Sequence, residues 1–101
     1  MPKYICPVCG YDKLDEPPYN EILEASYDTC PCCGVEFGYD DFKNDNVSFS
    51  IARRKWVEEG AKWFNENQKP NNWNMEEQLK NTEHPKIKEL EKKLRKEFQN
   101  L

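Results

Sequence analysis

Residues 30–34 read C-P-C-C-G, three cysteines within four positions of a chain that holds only five. Residues 6–10 read C-P-V-C-G, the same pattern with Val8 where the later copy has Cys32. Aligning the copies pairs Cys6 with Cys30 and Cys9 with Cys33, and leaves Cys32 surplus. Two Cys-x2-Cys pairs with twenty residues between them form the pattern of a tetrahedral four-thiolate metal site. Two intervening residues let both sulfurs of a pair face one centre, and a second such turn closes the tetrahedron. Proline after the first cysteine presets the turn, and glycine after the second tolerates positive φ. Backbone N–H groups of the turn can then donate to the sulfurs and stabilise their charge. The expected ligands are therefore Cys6, Cys9, Cys30 and Cys33. Four thiolates close the coordination shell, which describes a structural ion; a catalytic one keeps an open position.

The third position of such a turn points away from the metal, so Cys32 is expected to be an inert, partly buried counterpart of Val8. Two sharper roles stand beside that one. Cys32 could exchange for a neighbouring ligand when metal is lost, or act as a redox-sensing thiol that pairs with Cys33 and ejects the metal.

Composition makes a staple necessary. Leu, Ile, Val and Phe together supply 19 of 101 residues, near the level at which chains fail to bury enough surface to fold. Thirteen aromatic residues offset part of the shortage, and a bound metal supplies the rest. An odd cysteine count and a reducing cytosol favour metal over disulfides. The start, MPKYICPVCGYDK, has no apolar run suited to a signal peptide or a membrane span. With a mean hydropathy of −1.07, a water-soluble, cytoplasmic protein without membrane contact is expected.

Charge divides unevenly. Residues 1–50 carry three basic and ten acidic side chains, and residues 51–101 carry twelve and nine, so the halves are −7 and +3. The acidic half argues against nucleic acid as a partner, because phosphate repulsion opposes binding. Only the final basic stretch (Lys86, Lys88, Lys92, Lys93, Arg95, Lys96) would favour it. Oligomeric state is left open by the sequence.

Residues 1–46 read as short strands and turns around the cysteine pairs. A helix is expected from a cap at Ser48 or Ser50 through IARRKWVEEGAKWFNEN, with Ala52, Trp56, Gly60–Ala61 and Trp63–Phe64 as its apolar stripe and Pro70 as a stop beyond it. Asn74 suits the cap of a short helix over MEEQLKN. Pro85 suits the first turn of a last helix, whose Ile87, Leu90, Leu94, Phe98 and Leu101 share one face. That helix either packs on the domain or projects to meet a partner. One domain over residues 1–101 is the expectation, with a metal-binding knuckle region at 1–46 and a helical region at 48–101.

Catalysis has little support. His84 is the only histidine and sits beside Pro85, as a surface or capping residue. Asp40, Asp41 and Asp45 lack calcium-loop spacing and read as solvated turn residues. Tyr4, Tyr11, Tyr19, Tyr27, Phe37, Tyr39 and Phe42 read as a small aromatic core around the knuckles; without basic neighbours they make a poor base-stacking platform. No catalytic residue is assigned, and the protein is not expected to be an enzyme.

The knuckles YICPVCGY (4–11) and CPCCG (30–34) resemble the cysteine-rich CPCC family of small bacterial proteins. CPVCGYDKLDEPPY (6–19), CPCCGVEFGYDD (30–41) and KWFNENQKPNNWNMEEQLKN (62–81), with Trp56, look like a recurring type of bacterial protein. The segments YICPVCGY and CPCCGVEFGYDDF are also similar to rubredoxin, which implies iron at Cys6, Cys9, Cys30 and Cys33. The combined expectation is an α+β fold: a zinc-ribbon or rubredoxin-like knuckle pair followed by two to three helices. The expected cofactor is Zn2+, with Fe as the alternative. A protein-interaction or regulatory role would use the helical half, where Trp56, Trp63, Trp73 and the Leu90–Leu94–Phe98 face supply anchors wherever they are exposed. The alternative role is that of an iron electron carrier.

Overall fold

Proline and glycine interrupt every helical period before Ser48, and that half of the chain folds as turns. The computed structural model describes residues 3–43 and 46–99. Three isolated antiparallel bridges, Tyr4↔Leu14, Tyr19↔Ala25 and Thr29↔Glu36, hold the first half together. Two short strands follow, β1 (Phe42–Lys43) and β2 (Asn46–Val47), paired antiparallel with Phe42 opposite Val47. Three helices complete the described residues: α1 (Phe49–Glu58), α2 (Met75–Leu79) and α3 (Pro85–Gln99). Single 3-10 turns lie at Glu66–Gln68 and Lys80–Glu83. The result is a small protein with three helices and almost no strand.

Local capping accounts for where the helices begin. Ser48 is extended, and its hydroxyl accepts the Ile51 N–H at 3.3 Å. Asn74 does the same for Glu77 at 3.0 Å, both satisfying donors that the first turn leaves free. The His84 Nδ1 accepts the Lys86 N–H at 3.1 Å, so the only histidine caps α3.

The helix expected to run on through residue 67 stops at Glu58. Gly60 adopts φ 103°, its N–H bonds to Val57 O, and the Ala61 N–H reaches Trp56 O at 2.9 Å. This pair of reversed bonds is a Schellman termination, which glycine after the cap makes accessible. Trp63 is still buried, but by the returning chain, whereas Phe64 is 68% exposed. The expected stripe is thus split between two segments.

Helix α3 packs on the molecule. Leu94 and Ile87 are buried and Leu90 lies against the core, while the Glu91 carboxylate accepts the Phe49 N–H at the start of α1 at 3.1 Å. The Phe98 side chain and Leu101 lie outside the described residues. The core itself joins buried cysteines to aromatic rings. Tyr11, Trp63, Trp73 and Trp56 form a chain of edge-to-face contacts with centroids 5.8, 5.5 and 6.1 Å apart, each contributing roughly 0.5–1.5 kcal/mol beyond area burial. Among the described residues no helix is long and apolar enough to cross a membrane.

Candidate metal centre

The two C-P-x-C-G turns fold alike. In the first, Gly10 N–H bonds to Cys6 O at 2.9 Å and Cys6 N–H to Tyr11 O at 2.7 Å. In the second, Gly34 N–H bonds to Cys30 O at 2.9 Å and Cys30 N–H to Val35 O at 2.9 Å. Gly10 and Gly34 sit at φ 86° and 79°, the left-handed conformation that the turn needs and that glycine adopts without a Cβ penalty.

These turns bring Cys6, Cys9, Cys30 and Cys33 together, with all four sulfurs within 4.8 Å of one another. Across the knuckles, Cys6 Sγ lies 3.8 Å from Cys33 Sγ, and Cys9 Sγ lies 3.7 Å from Cys30 Sγ. All five cysteines are free thiols. A tetrahedral ion with metal–sulfur bonds of about 2.3 Å has sulfur–sulfur edges of about 3.8 Å. The four-cysteine cluster therefore has the donor chemistry and the spacing to hold a metal ion. In the cluster of thiols, burial pushes Cys6 and Cys9 up, while Cys30 is held far down by hydrogen bonds from Cys33, Cys6 and Cys9. Metal uptake must expel protons from the thiols that resist ionisation, so affinity falls as the solution is acidified.

Cys32 is fully buried, as is Val8 at the matching position. Its sulfur is not one of the four that cluster; it accepts a hydrogen bond from Gln78 Nε2 at 3.2 Å.

A layer of residues from the helical half holds the knuckles, and no local pattern in the sequence marks it. The Arg53 guanidinium donates to Pro7 O and Val8 O at 2.8 and 2.7 Å. At the equivalent carbonyls of the second knuckle, Pro31 O and Cys32 O, the donors are the backbone N–H groups of Asn65 and Phe64, at 2.8 and 2.9 Å. Each knuckle thus has its outward carbonyl pair clamped, once by a side chain and once by main chain. Gln78 Nε2 also donates to Cys9 O at 3.0 Å, and its Oε1 accepts Trp73 Nε1 at 2.8 Å, which fixes the amide's orientation. Asn81 Nδ2 completes the layer on Gly10 O at 2.9 Å. Such supports orient ligands and tune the metal they hold.

Several expected surroundings differ. Asp41 is buried, not solvated: its carboxylate accepts from the Tyr19 hydroxyl and, at 2.9 Å, from the Gly38 N–H. Burial raises the Asp41 carboxyl, and burial with the neighbouring carboxylate raises the Tyr19 phenol. Tyr27 and Tyr39 stand in solvent instead of in the aromatic core. Asp40 is exposed as expected, and Asp45 and the Phe42 side chain lie outside the described residues.

Access to the cluster is one-sided. Cys6, Cys9 and Cys30 are sealed, whereas Cys33 is half-buried and opens on a 310 Å³ cleft that Lys55, Trp56 and Glu59 also line. Limited alkylation of metal-loaded protein with iodoacetamide is therefore expected to label Cys33 first, with Cys32 protected until the fold opens. Peptide mass mapping over time checks this, and equal labelling of all five thiols would show a route through global unfolding.

Fold and site together define a small, cysteine-rich protein with a cluster that could hold a metal ion. The chain is 32% identical over 109 aligned positions to the uncharacterised protein YozI of Bacillus subtilis (strain 168), covering 93% of this chain and 85% of that protein. It belongs to the same family as YozI. It is also 33% identical over 70 positions to the uncharacterised protein YoaQ of the same strain, across 56% of this chain and 59% of YoaQ. No family model matches the chain. No solved structure matches it.

Proposed function

We propose that this is a cytoplasmic, non-enzymatic protein in which a structural Zn2+ on Cys6, Cys9, Cys30 and Cys33 holds a knuckle pair of zinc-ribbon or rubredoxin-like form, of the kind seen in the CPCC group. It acts by presenting a surface to another protein. The observation that carries the metal reading is the spacing of the cross-knuckle sulfurs, 3.8 and 3.7 Å, which equals the edge of a zinc–thiolate tetrahedron to within about 0.1 Å. Iron is the alternative in the same donor set, since tetrahedral sulfur suits both metals.

Elemental analysis and a visible spectrum of protein made in medium supplied with both metals decide between them. Colourless protein with one zinc per chain is the expected result; a red, reversibly bleached protein would make it an iron electron carrier. Cys32→Val is expected to keep full metal stoichiometry, because Gln78 Nε2 retains Cys9 O as its acceptor. Cys33→Val is expected to lose the metal. Loss of metal in Cys32→Val would overturn the ligand assignment.

A further inference from the structure

Residues 18–28 form a loop that is tightly built, with Tyr19 in the core and Leu23 and Ala25 packed against it, yet it turns Ile22 and Tyr27 outward. Asn20 Oδ1 accepts the N–H groups of Ile22 and Glu24 at 3.0 and 2.9 Å, and Ser26 N–H bonds to Pro18 O at 2.9 Å. The Tyr19 hydroxyl anchors the loop to buried Asp41. Leu23 and Tyr27 take φ 65° and 60°, a conformation that costs an L-residue about 1–2 kcal/mol. Ile22, Tyr27 and Tyr39 are nonetheless 74%, 67% and 73% exposed. The Tyr27 ring lies so close over Gly38 that a Cβ there would stand 2.8 Å from it.

Two grooves flank this turn and share Tyr19 and Asn20. One, of 590 Å³, is lined by Tyr19, Leu23, Ala25 and Tyr27 with the Glu24 carboxylate. The other, of 560 Å³, is lined by Tyr4, Pro17, Tyr19 and Ile22 with Glu21. Neither has a cationic lining residue. Residues 14–42 as a whole carry eight carboxylates and no Lys, Arg or His. An aromatic wall beside a carboxylate suits a guanidinium, which stacks on the ring face and pairs with the acid. Glu24 uses one oxygen to accept Asn20 Nδ2 at 2.9 Å and presents the other. The surrounding negative field attracts cations and repels nucleic acid and anionic membranes.

We propose that the 18–28 loop and Tyr39 form a docking surface for an arginine-bearing cationic segment of a partner protein. This rests on the interaction reading above and moves the surface from the helical half, whose Trp56, Trp63 and Leu94 are buried, to the knuckle half.

The probe is an acetylated decapeptide of alternating Arg and Leu, titrated into metal-loaded, 15N-labelled protein. Amide shifts are expected at residues 19–28 and 38–40. Citrulline in place of arginine is expected to weaken binding, as is Tyr27→Asn, which tolerates the left-handed backbone, or Glu24→Gln, which keeps an acceptor for Asn20. The loss for Tyr27→Asn is about two- to thirty-fold, from the range of cation–π energies. Shifts centred on α3, equal binding of the citrulline peptide, or undiminished binding by Tyr27→Asn would overturn the assignment. So would concentration-dependent shifts of the same residues without peptide, which would make a second copy the occupant. Peptide binding here by protein that is purified without metal would sink the zinc reading and leave the docking surface. Stoichiometric zinc with no peptide shifts would do the reverse.

Discussion

Stripping the proposed zinc from metal-loaded protein with a strong chelator under reducing conditions is expected to abolish the fold of residues 3–41 and the packing that depends on it. Apparent zinc-site folding energies of roughly 10–16 kcal/mol equal or exceed the whole stability of a small domain, about 5–15 kcal/mol. Beyond the hydrogen bonds from Arg53, Gln78, Asn81 and the 64–65 backbone, the knuckle half has little regular structure to hold it. Its regular pairing among the described residues amounts to isolated bridges, and its buried core joins four cysteines to Val8, Tyr11, Leu14, Tyr19, Val35 and Phe37. Without metal, four thiols would sit where burial opposes ionisation of Cys6 and Cys9. The aromatic chain from Tyr11 through Trp63 and Trp73 to Trp56 packs on that half, so near-UV dichroism and amide dispersion should collapse together. Helix α3, at fifteen residues, can keep only marginal helicity alone. Acid should act as the chelator does, since each ligand must be deprotonated to bind. Chelated protein that keeps its near-UV spectrum and dispersion would show that side-chain packing suffices and that the metal is incidental.

What could be read from the sequence was what is local. The knuckle spacing, the need for glycine at positions 10 and 34, and the caps at Ser48 and Asn74 all follow from a few neighbouring residues. The end of α1 was misjudged because Gly60–Ala61 and Trp63 continue the helical period while the chain reverses at Gly60. Trp63 keeps its burial by another route, so periodicity alone could not register the break. Asp41 looked solvated because it lies in an acidic turn, and its partner Tyr19 is 22 residues away. Arg53, Gln78 and Asn81 were missed for the same reason: each bonds to a knuckle carbonyl 45 to 71 residues distant. A polar residue on a short helix carries no sign of such a contact.

That long-range layer makes the two equivalent glycines unequal, and substitution separates local from tertiary demands. Both Gly10 and Gly34 have positive φ, so alanine at either costs about 1–2 kcal/mol from backbone strain. At Gly34 the nearest atoms to the added Cβ would be those of the Phe64 side chain, at 3.0–3.4 Å. The exposed ring can rotate, and the Phe64 Cβ contact asks for a shift of only a few tenths of an ångström. At Gly10 the Cβ would fall 2.1 Å from the backbone oxygen of Gln78. That oxygen belongs to α2, whose Gln78 side chain and neighbouring Asn81 bind the first knuckle, so relief requires the whole segment to lift. Gly10→Ala is therefore expected to lose about 2–5 kcal/mol in total, strain and overpacking together, and Gly34→Ala about 1–2 kcal/mol. Denaturant unfolding of the zinc-loaded variants measures the difference, and exchange of the Asn81 side-chain amide protons tests whether α2 has lifted. Equal losses would mean that the turn conformation alone matters and that the contact with α2 is compliant. A larger loss at Gly10, with faster exchange at Asn81, would establish that the helical half clamps the knuckle through backbone contact as well as through its side chains.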